Sequence, residues 1–362
     1  MKIAFYGSSL LSSYWNGAAT YYRGLIHALA ARGHEVTFYE PDAFGRQERR
    51  DIEPPDWCRV VVWQPDAEGL STVAAEAAHA DLVVKASGVG VLDEEILAAV
   101  MESARPGALR VFWDVDAPAT LADLAADPDQ PLARALPTLE GVLTYGGGAA
   151  IEAEYRERGA RDCVSIFNAL DPTTHHPVPP DPRYECDLAF LGNRLPDREA
   201  RVRTFLFEPV RALPDLTFLL GGAGWEQGSV PPNLRVLGHV PTAEHNAFNC
   251  TPRAVLNISR ASMATRGFSP ATRIFEAAGA AACIITDAWE GIETILAPGR
   301  EIIVARDGAD VAEAMRTLTP ERAREIGEAA QARVLAEHTY DLRALEVERV
   351  LGRWRARKAE AA

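Results

Sequence analysis

Short apolar runs alternate with helix-period segments along almost the whole chain, and this alternation constrains the fold more than any other feature. "KIAFYG", "HEVTFYEP", "RVVVWQP", "ADLVVKAS", "LRVFWDVD" and "EGVLTYGGG" each hold an apolar run suited to a buried strand. Between them lie Ala- and Glu-rich helical stretches. In "TYYRGLIHALAARG", Tyr21, Leu25, Ala28 and Leu29 share one helical face, and Gly33 closes the helix. Strand, helix, strand in this order predicts an α/β fold: a parallel sheet with helices on both faces.

The alternation stops at "NALDPTTHHPVPPDPRYE", where Pro172, Pro177, Pro179, Pro180 and Pro182 disfavour both helix and central strand. It restarts with "CDLAFLGNR" and continues through "LTFLLGGAGW", "LRVLGHV", "RAVLNISR", "CIITD" and "EIIVAR". The restart repeats the opening: Ile3–Ser8 and Leu188–Asn193 are both apolar strands ending on Gly and a small polar residue. The expected organisation is a Rossmann-like domain over 1–170, a linker over 171–186 and a second such domain over 187–338. A helix over 339–362 follows, with Ala344, Val347, Leu351 and Trp354 on one side, bracing the first domain. A chain of 362 residues is long enough for two such cores. Ligands of doubly wound sheets bind beyond the carboxyl ends of the strands, so a cleft between two facing domains is the expected site.

Composition removes several classes of function. A net charge of −14 shows no basic footprint for nucleic acid, although a local basic pocket for phosphate stays open. Cys58, Cys163, Cys186, Cys250 and Cys283 have neither metal-ligand nor redox spacing; reduced, buried thiols favour the cytoplasm. The N-terminal apolar run is too short for a signal peptide, and no stretch of about 18 apolar residues predicts a membrane span. Oligomeric state is open, a homo-oligomer included.

Candidate residues cluster at strand ends. Gly7-Ser8-Ser9 with Asn16–Thr20 offers a helix N-terminus to an anion or sugar hydroxyl, or is an ordinary βα loop. Asp114 and Asp116 in "FWDVDAPAT" suit a base or a hydroxyl ligand, with Asp116 equally a helix cap; no third ligand nearby suggests a metal. "TYGGGAA" permits close backbone approach to a ligand, or a tight turn. Asn193, Arg194 and Arg198 are placed for a diphosphate, or pair with Asp197 and Glu199. Gly222 and Trp225, with His239 and Val240, suit a nucleobase, though a lone His is more often structural. Ser259 and Arg260 end a strand; Thr272, Arg273 and Glu276 begin the next helix, with Pro270 expected at its first position. Two arginines neutralise two phosphate charges, and a carboxylate accepts from vicinal hydroxyls as on a ribose. The alternative pairs Glu276 with Arg273 or Arg260.

Taken together, these residues resemble the GT-B glycosyltransferases. More narrowly, "FWDVDAP", "FLGNRLPDR", "LNISR", "SPATRIFEAAG" and "ITDAWEGIETILAPGREIIVARD" are similar to the CgeB-like family, with its glycosyltransferase group 1-like C-terminal domain. The likeness spans most of the chain and is densest from Asp187 to Asp307. It implies a nucleotide-sugar donor in the second domain, an unidentified acceptor in the first, and neither cofactor nor metal. Glu276 would hold the donor ribose, and Arg260 and Arg273 the leaving diphosphate. Retaining relatives often carry a second glutamate eight positions earlier; here that position is Phe268, so retention does not carry over. An inverting enzyme needs a base, for which Asp114, Asp116 and His27 are candidates in that order. A nucleotide-sugar epimerase and a non-catalytic binding or assembly protein are the alternatives on the same fold.

Overall fold

The computed structural model describes residues 1–14, 16–225 and 230–360. The chain forms two compact units: unit 1 is Met1–Phe167 with Tyr340–Ala362, and unit 2 is Asn168–Thr339. Ala361 and Ala362, the end of the expected C-terminal helix, lie outside the described residues.

Unit 1 holds β1 (Lys2–Tyr6), β2 (Glu35–Pro41), β3 (Arg59–Trp63), β4 (Leu82–Ala86), β5 (Leu109–Asp114), β6 (Gly141–Thr144) and β7 (Cys163–Ser165). They form a parallel sheet in the order β3-β2-β1-β4-β5-β6-β7, with Ile3 opposite Val36 on one side and Leu82 on the other. The short β7 was not anticipated; its sequence, Cys-Val-Ser, lacks the apolar run that marks the other strands. Helix Tyr340–Glu360 belongs to this unit and buries Ala344, Val347, Leu351 and Trp354, as its spacing predicts. Trp354 lies where a Gly141 Cβ would come within 2.4 Å of its ring, so only glycine leaves it room.

Unit 2 holds β8 (Leu188–Leu191), β9 (Phe218–Gly221), β10 (Leu234–Gly238), β11 (Ala254–Asn257), β12 (Ile284–Asp287) and β13 (Ile303–Ala305). Their order, β10-β9-β8-β11-β12-β13, repeats the first six positions of the unit 1 sheet, again all parallel. Every residue of β8, β9, β11 and β12 is buried, as parallel strands covered on both faces require. The period-2 alternation sorts them into two cores. Leu188, Phe190, Leu220 and Leu256 join one, while Ala189, Leu191, Leu219 and Val255 join the other. The proline-rich stretch expected as a linker packs as part of unit 2, with His175 and Tyr184 buried.

In each sheet the strand order reverses between the first and fourth strands, at β1/β4 and β8/β11. The carboxyl ends flanking such a reversal are where doubly wound sheets take ligands. No described helix is long and apolar enough to cross a membrane.

Candidate functional site

The β8/β11 end of unit 2 carries most of the candidate residues. Gly222, at φ +114°, follows β9, and a Cβ there would sit 2.3 Å from the Gly192 carbonyl oxygen. That close approach lets the loops after β8 and β9 zip together. Asn193 Oδ1 accepts from the Ala223 amide at 3.0 Å, and Trp225 Nε1 donates to the Gly192 carbonyl at 2.7 Å. Trp225 is buried in the sheet's core, so it fixes the β8 loop and presents no open face to a nucleobase.

The arginines divide into paired and unpaired. Arg194 makes a two-pronged bond to Glu199, 2.9 Å on each prong, and Arg260 Nε reaches Asp197 at 2.7 Å. Arg194 follows its salt-bridging alternative; Arg260 is salt-bridged too, but to Asp197 and not to Glu276. Arg198, among the described residues, makes no such bridge. A Cβ on Gly192 would lie 2.9 Å from Arg198 Nη1, so the guanidinium rests on the end of β8. Its Nε is buried with no acceptor. Burial disfavours its charge; Asp197 eases this and Arg260 worsens it. Arg273 lies over the Phe190 ring at 5.9 Å. Burial, then the charge of Arg198, pull its pKa down to about 10, with Glu276 opposing. Among the described residues neither cation has an acid hydrogen-bonded to it: Asp197 and Asp287 act on Arg198, and Glu276 on Arg273, through space only. The sequence offers Arg198 only as one of two cations beside Asn193; nothing in the spacing separates it from Arg194.

Helix Thr272–Gly279 starts later than expected: Ala271 is its N-cap and Pro270 lies before it, its carbonyl accepting from Asn168 Nδ2 at 3.1 Å. Thr272 and Arg273 open the helix, partly exposed, while Ile274, Phe275, Ala277, Ala278 and Gly279 are buried. Glu276, with a side chain 13% exposed, shares the partly exposed face, its Oε1 3.9 Å from His175 Nε2. The alternative pairing of Glu276 with Arg273 or Arg260 is not an ion pair here; Glu276 meets Arg273 through space only. Phe268, where a second glutamate would stand, adopts φ +43° and donates its amide to Glu290 at 2.6 Å. A bulky residue held at positive φ is a strained turn.

Ser259 is buried, and its amide and hydroxyl both donate to Asp287 Oδ1, at 3.0 and 3.2 Å. Arg201 grips the other carboxylate oxygen. This trio ties the ends of β11 and β12 together, so the Ser259 side chain is consumed structurally. His239 is exposed and Val240 buried, the Val240 carbonyl lying 3.3 Å from His245 Nε2.

In unit 1, Asp114 is fully buried. It accepts from Ser87 Oγ (2.7 Å), the Asp116 amide (2.9 Å), Thr120 Oγ1 (2.9 Å) and the Tyr155 hydroxyl. Burial raises its pKa in spite of these donors. It is the hub of a closed network and faces no solvent, which corrects its leading place as a base. Asp116 is partly exposed and makes no side-chain cap to the helix that follows it. His27 stacks on Trp57 at 5.0 Å and lines a cavity of about 690 Å³ with Lys2, Glu35 and Arg59. Those are strand starts, the edge of the sheet opposite Asp114, so His27 is not placed as a base. The loop after β1 wraps the buried Glu40, which accepts from the Leu10 amide (2.6 Å) and Ser9 Oγ (3.1 Å). The Gly146–Gly148 run is a tight turn: a Cβ on Gly147 would lie 2.0 Å from Ile151. All five cysteines are free thiols.

Residues 198–349 match a family model described as glycosyl transferase-like. Over the whole chain the structure is similar to sucrose-phosphate synthase from Thermosynechococcus elongatus: TM-score 0.70, 15% identity, 98% of this chain and 99% of that one. It is similar to Anabaena HepE, a structure with UDP and glucose: TM-score 0.67, 14% identity, 97% and 99% covered. It is also similar to an alpha-glucosyltransferase in complex with UDP-glucose and DNA: TM-score 0.72, 11% identity, 97% and 99% covered. No curated protein matches the sequence. The two doubly wound units are therefore those of the GT-B fold, and the second carries a glycosyltransferase-like domain.

Proposed function

We propose that the protein is a glycosyltransferase that moves a sugar from a nucleoside-diphosphate sugar to an acceptor, with the donor held by unit 2. The observation that carries this reading is the convergence of Arg198 on Gly192 and Arg273 on Phe190 at the end of β8, beside the β8/β11 reversal, with Glu276 one turn further along the Arg273 helix. Two half-buried cations with no acid hydrogen-bonded to either disfavour the empty site, and a diphosphate relieves them. Arg198, Arg273 and Arg260 then stabilise the charge that develops on the leaving diphosphate, a task that needs no metal. Glu276 accepts from the ribose hydroxyls, and the exposed His239 backbone with Val240 borders the base. Asn193 and Trp225 act by holding the β8 loop, Gly222 by letting it close, and Thr272 by opening the helix.

HepE holds UDP and glucose, which makes uridine diphosphate the first nucleotide to test. The acceptor binds unit 1 in this reading, and Asp116, the accessible carboxylate, is the general base, giving inversion. The narrower CgeB-like membership and a cytoplasmic location rest on the sequence segments and thiols alone. A thermal-shift screen of nucleotides and nucleotide sugars tests the reading, because a ligand of the folded state raises its melting temperature. Stabilisation by a nucleoside diphosphate, followed by acceptor-dependent release of it, is expected. No shift with any nucleotide would contradict it.

A further inference from the structure

Glu276 belongs to a second constellation. Among the described residues, ligand atoms of His175, His245 and Glu276 lie within 4.8 Å of one another. The three come from separate segments that the structure pins together. A Cβ on Gly279 would meet Leu170 at 2.3 Å and the His175 carbonyl at 2.9 Å, so the absence of a side chain there lets the His175 segment lie on the Glu276 helix. Asn246 Nδ2 donates to the Thr174 carbonyl at 2.9 Å, tying helix His245–Cys250 to the same segment. Cys250 Sγ donates to the Ala280 carbonyl at 3.2 Å, closing the triangle.

Each imidazole has one nitrogen already engaged. His175 Nδ1 is 2.9 Å from Thr174 Oγ1, which leaves Nε2 toward Glu276. His245 Nε2 is 3.3 Å from the Val240 carbonyl, which only accepts, so that nitrogen carries the proton and the other carries the lone pair. A metal-binding histidine has this arrangement: one nitrogen free, the other oriented by an outer partner. We propose that His175, His245 and Glu276 bind a transition metal ion of the zinc class, and that metal and donor ribose exclude one another at Glu276. The second half rests on the donor reading above. The first does not.

Ligand atoms of a four-coordinate zinc sit roughly 3.3 Å apart, given bonds of about 2.0–2.2 Å, so the three side chains close in by up to about 1.5 Å on binding. Three protein ligands leave a fourth position for water. Arg273 lies near and opposes a cation, which burdens hard ions most. Calcium and magnesium depend on oxygen ligands, whereas two neutral imidazoles favour zinc, cobalt or copper. A metal held this way occupies the carboxylate that the ribose needs, and so acts as an inhibitor of donor binding.

The test titrates zinc chloride into the full-length protein by calorimetry in a non-chelating buffer, with cobalt(II) absorption as second readout. One zinc per chain is expected. Binding should weaken at least about tenfold in His175→Ala and in His245→Ala. Cobalt should give intense four- or five-coordinate bands. Excess uridine, which carries ribose without chelating phosphates, should weaken zinc binding in the wild type. Absence of saturable zinc binding, or binding unaltered by both variants, would overturn the site. If a variant does not fold, the wild-type cobalt spectrum decides: weak six-coordinate bands overturn the site. Zinc binding with no nucleotide binding would keep the site and remove the donor reading. Nucleotide binding with no zinc would do the reverse, and simultaneous binding of both would overturn the exclusion.

Discussion

Arg198 and Arg273 bring two guanidinium groups to one end of the unit 2 sheet, and the charge of Arg198 helps depress that of Arg273. Among the described residues neither has a carboxylate hydrogen-bonded to it, although Arg194 and Arg260 nearby do. Like charge crowded into a half-buried site is costly to a folded chain and persists where function needs it.

This costs stability, and the cost is measurable. Replacing Arg273 or Arg198 with Met should raise the stability of the nucleotide-free protein by about 1 kcal/mol, as removal of a half-buried ion with no hydrogen-bonded acid does. The same variants should lose diphosphate affinity at least tenfold. Urea unfolding with and without nucleotide checks both halves; a variant that destabilises the empty protein would point to a structural role.

Asp114 makes the opposite forecast, because its four donors depend on it. Asp114→Ala strands buried hydroxyls and should cost about 2–4 kcal/mol, and Asp114→Asn less. The sign with pH follows from its raised pKa. A carboxyl that holds its proton more tightly when folded contributes stability below the unfolded pKa of about 3.9 and loses it as pH rises through the folded value. Asp114→Asn lacks that loss, so its deficit against wild type should shrink between pH 4 and pH 7. Denaturant midpoints at the two pH values measure it; a deficit that grows would contradict the burial-raised carboxyl.

Gly222 is the hinge of the zipped loops. Gly222→Ala places a Cβ 2.3 Å from the Gly192 carbonyl at a φ of +114°, and both faults act together. A loss of about 2 kcal/mol or more is expected, together with weakened nucleotide binding as the β8 loop moves Asn193 and Arg198. Trp225→Phe, which removes the bond to the Gly192 carbonyl and leaves a small void in the core, should do the same, at about 1–3 kcal/mol.

The C-terminal helix gives a test confined to unit 1. Trp354 fills the space above Gly141, and its Nε1 donates to Asp162 Oδ2 at 2.8 Å. Trp354→Ala should cost about 3–5 kcal/mol. Followed by hydrogen exchange, the loss should fall on unit 1 amides and spare those of β8–β12.

The twelve strands other than β7 and the helix over Ala344–Trp354 were legible in sequence, because apolar runs and the period-3.6 pattern are local. Chemistry at the site was legible only as residue type. Arg194 and Arg198 read alike in "GNRLPDR", yet Glu199 takes one and leaves the other. Asp114 and Asp116 alternate along one segment, and only burial separates the hub from the accessible acid. His175 sat in a proline-rich stretch that reads as a connection, and its partner His245 is far along the chain. No spacing rule joins them: the glycine at 279 seats the His175 segment on the Glu276 helix, and the Asn246–Thr174 bond brings His245 to it.

The central claim is that Glu276 reads a ribose beside a diphosphate. Calorimetry of uridine diphosphate and its 2′,3′-dideoxy analogue against wild type and Glu276→Ala tests it most directly. The wild type should prefer the ribose form at least tenfold, and Glu276→Ala should bind both forms equally and weakly. Equal binding of the two forms by the wild type, or undiminished discrimination in Glu276→Ala, would contradict the assignment.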